Sequence, residues 1–335
     1  MNSPLFTSSM TRREALRRTV LFSTGLLAAG SLPRARAVPL DTDFSGPGLH
    51  LLAFGDYGSK NESQRLVAQQ MARFARKLNQ PLDAVLALGD SFYGKMTPEH
   101  FERDFEKMYD AEALPCPFHA CIGNHDYEYA VYGRDPEPRK YEMELEYARE
   151  NPSSRWKMPA KWYALELPSP TAPLLKLIVL DSNMQEGALT PQEKLDQKRF
   201  LEAELAKGTK STWLGLVWHH PPFTETTKRK DNASLLRTID EALKNHPFAF
   251  CIAGHDHNLQ HLQVEGYSTS FIVSGAGGAD RYDVTESPRG FSRKDLGFNH
   301  LHISPKRIKV QFINAEGECL HAFRRRLNGQ VEIVA

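Results

Sequence analysis

Five apolar runs in this chain each end in side chains able to hold a cation or move a proton. Leu49 to Phe54 closes in Gly55-Asp56-Tyr57-Gly58, and Leu82 to Leu88 in Gly89-Asp90-Ser91-Phe92-Tyr93-Gly94. Phe118 to Ile122 leads into Gly123-Asn124-His125-Asp126, a fourth run reads Val217-Trp218-His219-His220, and a fifth ends in Gly254-His255-Asp256-His257. Runs of this length and composition are strands. Strands of one sheet that stop along one edge gather their loops over one pocket, so residues distant in sequence become neighbours. Taken singly, each motif is as readily a turn or a packed histidine. Together, ligand-type residues at five strand ends form a mixed oxygen and nitrogen donor set. Hard oxygen donors suit a trivalent ion, and imidazoles suit iron, zinc or manganese. The implied chemistry is that of a metal site.

The elements that must position these residues follow from periodicity. Asn61 caps an amphipathic helix to about Leu78, with Leu66, Val67, Met71, Phe74 and Leu78 on one stripe. Pro98 starts a second helix carrying Phe101, Phe105 and Met108. Strands alternating with helices predict a sheet with crossover connections. Between Tyr127 and Arg155 five tyrosines, Tyr127, Tyr129, Tyr132, Tyr141 and Tyr147, are interleaved with charges, and a short helix is expected near Lys140–Glu150. Two readings of this segment stand side by side: a rim or lid over the site, and a plain surface insertion. Lys161–Leu167 and Leu174–Leu180 are strands. Thr190-Pro191 opens a helix running to Lys207, where Gly208 stops it. Trp213–Trp218 is a strand, a helix covers Asn232 or Ala233 to Asn245, and Phe248–Ala253 is a strand. The tail reads as strands alone: Gln260–Glu265, Thr269–Val273, His300–Ser304, Arg307–Asn314 and Cys319–Arg324. The fold class expected is α/β, a two-sheet β-sandwich flanked by helices.

The ordered blocks Asp56-x-Gly58, Gly89-Asp90-x-x-Tyr93, Gly123-Asn124-His125-Asp126, Val217-x-x-His220 and Gly254-His255-x-His257 resemble those of the purple acid phosphatases, within the wider calcineurin-like metallophosphoesterases. Gly254 to Gln260, Val273-Ser274-Gly275-Ala276-Gly277 and Arg155-Trp156-x-x-Pro159 ahead of Tyr163 resemble the small, tartrate-resistant type. The resemblance runs from about Leu49 to the C-terminus. It implies hydrolysis of phosphomonoesters at a dinuclear centre, with a phosphodiesterase or nucleotidase on the same scaffold as the alternative. By that resemblance Asp56, Asp90, Tyr93 and His257 hold Fe(III), and Asp90 bridges to a divalent ion, Fe(II), Zn(II) or Mn(II), held by Asn124, His220 and His255. Metals so placed neutralise phosphate oxygens and acidify water into an attacking hydroxide. Asn124 and His125 then face the substrate, and His125 protonates the leaving alkoxide. Asp126 either orients the His125 ring or is a solvated loop carboxylate. The Val-x-x-His spacing selects His220, and strand alternation sends His219 to the other side.

One stretch departs from the pattern. Small members of this family place a further histidine beyond the Val-x-x-His block; here Phe223 to Lys230 holds none. Either this is a solvated basic loop, or Arg229 or a neighbouring lysine takes the substrate phosphate as a permanent cation.

Composition sets the remaining bounds. The 335 residues carry a formal net charge of +1, but six arginines and one glutamate fall in the first 37. The remainder is net acidic, and nothing in it suggests nucleic acid or an anionic membrane; a small-molecule phosphoester substrate is what the resemblance implies. Residues 1–37 resemble a twin-arginine export signal: Arg12-Arg13, with Ala15 where that pattern has Phe, then apolar Val20 to Gly30, then Ala35-Arg36-Ala37. The apolar stretch is too short for a stable membrane anchor. The expectation is a bacterial periplasmic or secreted enzyme that engages the twin-arginine machinery during secretion, with a single catalytic domain over 38–335. The four cysteines match no metal spacing. Cys116 and Cys121 cannot join across one strand, and a disulfide to Cys319 is left open.

Overall fold

The computed structural model describes residues 38–131, 133, 135–184, 188–208 and 210–334. The expected export signal, residues 1–37, lies outside them. Among the described residues no helix is long and apolar enough to cross a membrane.

The first sheet begins with β1 (Leu49–Phe54), all six residues of which are buried. A strand is buried on both faces only if both are covered. On one side of β1, Leu52 and Phe54 pack against Val67, Met71 and Phe74 of α1 (Glu62–Lys77). On the other, Leu49, Leu51 and Ala53 join the core between the sheets. Asn61 caps α1 by accepting from the Gln64 N–H. Leu66 leaves the predicted stripe: it is exposed, and Ala68, Met71 and Ala72 complete the buried face. Then come β2 (Ala84–Ala87), α2 (Pro98–His100), which runs on as a π-helical turn over Phe101–Glu106, β3 (Phe118–Ala120), α3 (Lys140–Glu150) and β4 (Trp156–Lys157). Strands β1 to β4 are parallel neighbours.

The second sheet follows with β5 (Tyr163–Leu167), β6 (Leu175–Val179), α4 (Pro191–Ala206), β7 (Trp213–Val217), α5 (Ala233–Asn245), β8 (Phe248–Ala253), β9 (Leu259–Gln263), β10 (Ser270–Ser274) and β11 (Gly290–Arg293). Its order is β11-β9-β10-β8-β7-β6-β5. Helix α4 starts in a capping box, Thr190 and Glu193 each accepting from the other's backbone N–H. The last strands, β12 (Gly297–Ile303), β13 (Arg307–Asn314), β14 (Cys319–Arg326) and β15 (Val331–Val334), return to β1 and extend the first sheet to eight strands. The β-sandwich flanked by helices is therefore the observed fold.

Short edge strands β4, β11 and β15 fall outside the predicted set, since two to four residues carry little periodicity. The four cysteines are buried thiols, so Cys319 forms no disulfide.

The segment from Tyr127 to Arg155 is neither a free lid nor a loose insertion. Tyr147 stacks on Phe101 at 3.9 Å, Met143 enters the core, and Lys140 is fully buried. The Lys140 ammonium donates to the carbonyl of Phe92 (3.0 Å), inside the Asp90–Tyr93 loop.

Candidate metal and catalytic site

Three of the predicted donors sit where the backbone turns left-handed. Asp56 (φ 59°), Asp90 (φ 54°) and His255 (φ 66°) each follow a glycine just past a strand end. The conformation costs a non-glycine residue about 1–3 kcal/mol and persists only where surroundings impose it. It swings each side chain back over the sheet edge. Gly123 makes room for one of them: a Cβ there would lie 2.2 Å from Oδ1 of Asp90 and 2.3 Å from its backbone nitrogen.

The side chains so aimed converge. The Tyr93 hydroxyl lies 3.1 Å from Oδ2 of Asp90, 3.4 Å from Oδ1 of Asp56 and 3.5 Å from Nε2 of His257. Nε2 of His257 lies 3.3 Å from Oδ1 of Asp56. Alongside, Nε2 of His219 lies 3.1 Å from the Asn124 amide oxygen, 3.2 Å from Nδ1 of His255 and 3.5 Å from Oδ1 of Asp90. His219, His220 and His255 form one compact group of candidate ligands, and Asp56, Asp90 and His219 another. All seven predicted donors are therefore brought together.

His219 corrects the prediction that it points away. Strand β7 ends at Val217, so side-chain alternation does not extend to residues 219 and 220. The His220 ring instead meets the Ser182 hydroxyl through Nδ1 (2.8 Å).

The hydrogen bonds around the rings fix their tautomers. A carbonyl only accepts, so Nδ1 of His219 donates to the carbonyl of Leu88 (2.7 Å), and Nδ1 of His257 to that of Asp280 (2.7 Å). Each Nε2 lone pair is left facing carboxylate and amide oxygens. Such lone-pair-rich contacts among buried groups call for a cation at the centre, and outer carbonyls that orient ligand imidazoles are the usual support of one. Burial and the Asp56 charge raise the Asp90 pKa. Burial, Asp56 and Asp90 likewise raise that of Tyr93. Burial works against a charged His257, yet the Asp56 carboxylate lifts its pKa. Burial and the neighbouring histidines hold His255 neutral. The residues thus fit a metal centre: oxygen-rich around Asp56, Asp90 and Tyr93, nitrogen-rich around His219, His220 and His255.

Asp126 neither orients His125 nor is solvated. It is fully buried and accepts from the backbone N–H groups of Asp90 (2.9 Å), Ser91 (3.0 Å) and Gly123 (2.8 Å). It clips two donor loops together from beneath. The carboxylate on His125 is Glu128, with Oε1 2.7 Å from Nδ1. Burial opposes charge on Glu128, but Lys140, 2.7 Å from Oε2, and His125 keep it ionised. In sequence only the three-residue spacing hinted at Glu128; nothing distinguished Lys140 from other surface lysines.

Arg229 lies at the rim. Its Nη1 donates to Oδ1 of Asp256 (2.9 Å), and its guanidinium carbon sits 5.2 Å from the centre of the Tyr282 ring. Together with His220, His255 and Lys230 it lines a cleft of about 400 Å³.

Residues 49–259 match the family model described as calcineurin-like phosphoesterase. The chain belongs to that family. It is 26% identical to human tartrate-resistant acid phosphatase type 5 across 88% of this chain and 95% of that one. It is 27% identical to Arabidopsis thaliana purple acid phosphatase 17, across 90% of each. Among solved structures it is similar to GAP50, the anchor in the inner membrane complex of Plasmodium, with a TM-score of 0.70 and 18% identity over 83% of this chain and 88% of that one. It is also similar to the purple acid phosphatase PPD1 of yellow lupin, with a TM-score of 0.65 and 15% identity over 86% and 55%. At such identities these structures establish the fold alone. The chain is a phosphoesterase of the purple acid phosphatase kind.

The Gly123 contacts make one outcome specific. Gly123→Ala should displace the Asp90 carboxylate and lower the metal bound per chain, measured by elemental analysis, while the circular dichroism spectrum stays that of the parent. Full metal loading in this variant would show that the close approach of Gly123 to Asp90 is dispensable.

Proposed function

We propose that the chain is an exported acid phosphatase that hydrolyses small-molecule phosphomonoesters at a dinuclear Fe(III)–M(II) centre, M being Fe, Zn or Mn. The observation that carries this reading is Tyr93, a half-buried phenol seated between two carboxylates and an imidazole. Asp56, Asp90, Tyr93 and His257 would hold the ferric ion. Asp90, Asn124, His255 and the His219–His220 pair would hold the divalent one. Such an ion pair supplies Lewis acidity, drawing charge from phosphoryl oxygens and acidifying water.

The chain's own residues do the rest. Asn124 presents its amide beside the bound phosphoryl group. His125, partly exposed and edge-on to the Tyr93 ring at 4.7 Å, faces the leaving group. Glu128 fixes the tilt of that ring through Nδ1, which leaves Nε2 to deliver a proton to the departing oxygen. Arg229 adds a permanent positive charge at the mouth, favouring a dianionic monoester over a monoanionic diester. Export through the twin-arginine route to the periplasm or medium rests on Arg12-Arg13 and the apolar stretch that follows.

The metal assignment is tested by colour. The iron-loaded, oxidised protein should be pink to violet through phenolate-to-iron charge transfer, and Tyr93→Phe should bleach it. An unchanged visible band would remove Tyr93 from the centre.

Acid catalysis is tested by leaving groups. His125→Ala should lower turnover of an alkyl phosphate by about 10²–10⁴-fold, and that of an activated aryl phosphate less. Glu128→Gln should show the same bias in weaker form. Equal losses on both esters would argue that His125 serves another purpose.

For Arg229→Ala the expectation is a higher KM for monoesters with a smaller change for diesters, and Arg229→His should restore binding only at acid pH. Parent-like kinetics on both ester classes would leave Arg229 a surface residue.

A further inference from the structure

Near the opposite strand-end edge of the second sheet, the first sheet presents a buried cation that no acid among the described residues neutralises. Arg325, on β14, is 5% exposed. Among the described residues its Nη1 reaches only the Ser270 hydroxyl and the Gly329 carbonyl, both at a marginal 3.5 Å, and its Nε meets no partner. Among the described residues no carboxylate pairs with it; its neighbour Arg324 takes Glu332 instead. An arginine is never neutral in a protein, so burial without an anion carries an uncompensated solvation cost.

Arg325 lines a cavity of about 510 Å³, together with Lys176, Glu204, Thr212, Trp213 and His246. Glu204 is the one acid on that wall, and two lysines already share it: Lys176 at 2.9 Å and Lys207 at 2.5 Å. The wall is therefore net positive. Hydroxyl and imidazole groups of Thr212 and His246 add hydrogen-bonding capacity, and Trp213 supplies a flat apolar side.

The cavity is separate from the metal site. Trp213 and Ala249 stand at the starts of β7 and β8, whereas His219 and His255 follow their ends. At about 3.3 Å per strand residue the two sites lie roughly 15–20 Å apart.

We propose that this cavity is a second anion site, which takes a phosphoryl oxyanion on the Arg325 guanidinium. A planar fork of N–H donors matches two oxygens of such a group, and the bond is stronger out of water. Free phosphate and the phosphoryl end of a small organic phosphate share this chemistry. The inference does not depend on the reaction proposed for the metal site.

Calorimetric titration of the metal-loaded enzyme tests it, with inorganic phosphate as one probe and methylphosphonate as the other. The parent should bind one equivalent beyond that which competes with substrate, with at least one probe. Arg325→Gln should lose that extra equivalent while competitive inhibition by phosphate stays unchanged. Ser268→Trp, placed at the exposed rim of the same cavity, should lose it too with the guanidinium left in place. This second variant decides the matter if Arg325→Gln fails to fold. Absence of the extra equivalent with both probes, or its survival in Ser268→Trp, overturns the proposal. If the extra equivalent is present but phosphate does not compete with substrate, the anion site stands and the phosphatase reading loses support.

Discussion

Two carboxylates in a dry interior, Asp56 and Asp90, set the terms for the structure around them. Like charges at close quarters out of water repel, and burial together with the Asp56 charge raises the Asp90 pKa. Each is nonetheless fixed by the backbone: the N–H of His255 donates to Asp56 Oδ2 at 2.7 Å, and the N–H of His125 to Asp90 Oδ1 at 2.9 Å. The donors that clamp one ligand thus belong to loops that carry others. Asp126 repeats the device one layer down, tying the Asp90 loop to Gly123 through three N–H bonds. Burial and the Asp126 charge in turn raise the pKa of Glu144, so the acid beneath the clip favours its neutral form. A neutral Glu144 adds no further negative charge beneath Asp126 and the candidate metal site.

The legible part of this arrangement was what local spacing and burial period encode. Strand ends, helix caps at Asn61 and Thr190, and the αββα order could be read because each depends on a few adjacent residues. Asp56, Asp90, Asn124 and His255 could be read because a glycine followed by a polar residue after an apolar run is a local signature. Tyr93, His220 and His257 could be read because they fall at fixed short spacings within the same blocks. His219 was misplaced for a definite reason. Alternation is a property of an extended strand, and β7 stops two residues earlier. Asp126, Glu128 and Lys140 escaped because their roles depend on what lies across the layer. Lys140 is a surface-type residue in composition, and only docking of α3 against the Asp90–Tyr93 loop buries it. Arg325 shows the same limit, one arginine in a run of three, distinguished only by the sheet that covers it.

The likeness to both a purple acid phosphatase and a membrane-complex anchor separates scaffold from chemistry. A two-sheet sandwich needs its apolar faces; it does not need carboxylates at its strand ends. Hydrophobic burial would hold β1 and β8 in place whether or not Asp56 and His255 followed them. The left-handed turns at Asp56, Asp90 and His255 cannot be explained by that burial, since glycine would adopt each at lower cost. Side chains at such positions contribute something glycine cannot, and here each places a carboxylate or an imidazole in the candidate metal site.

The two edges of the second sheet invert each other's electrostatics. At the edge where β7 and β8 end, carboxylates and imidazole nitrogens converge, with Arg229 at the rim already paired to Asp256. At the edge where those strands begin, a guanidinium is buried without an acid. The difference is a matter of side chains: a carboxylate- and imidazole-rich cluster at one edge, and a guanidinium with no paired carboxylate among the described residues at the other. Burial of uncompensated charge at both ends costs stability that a purely structural sandwich would not give up. Ligands of opposite sign at the two edges are the simplest physical account of why the sequence bears that cost.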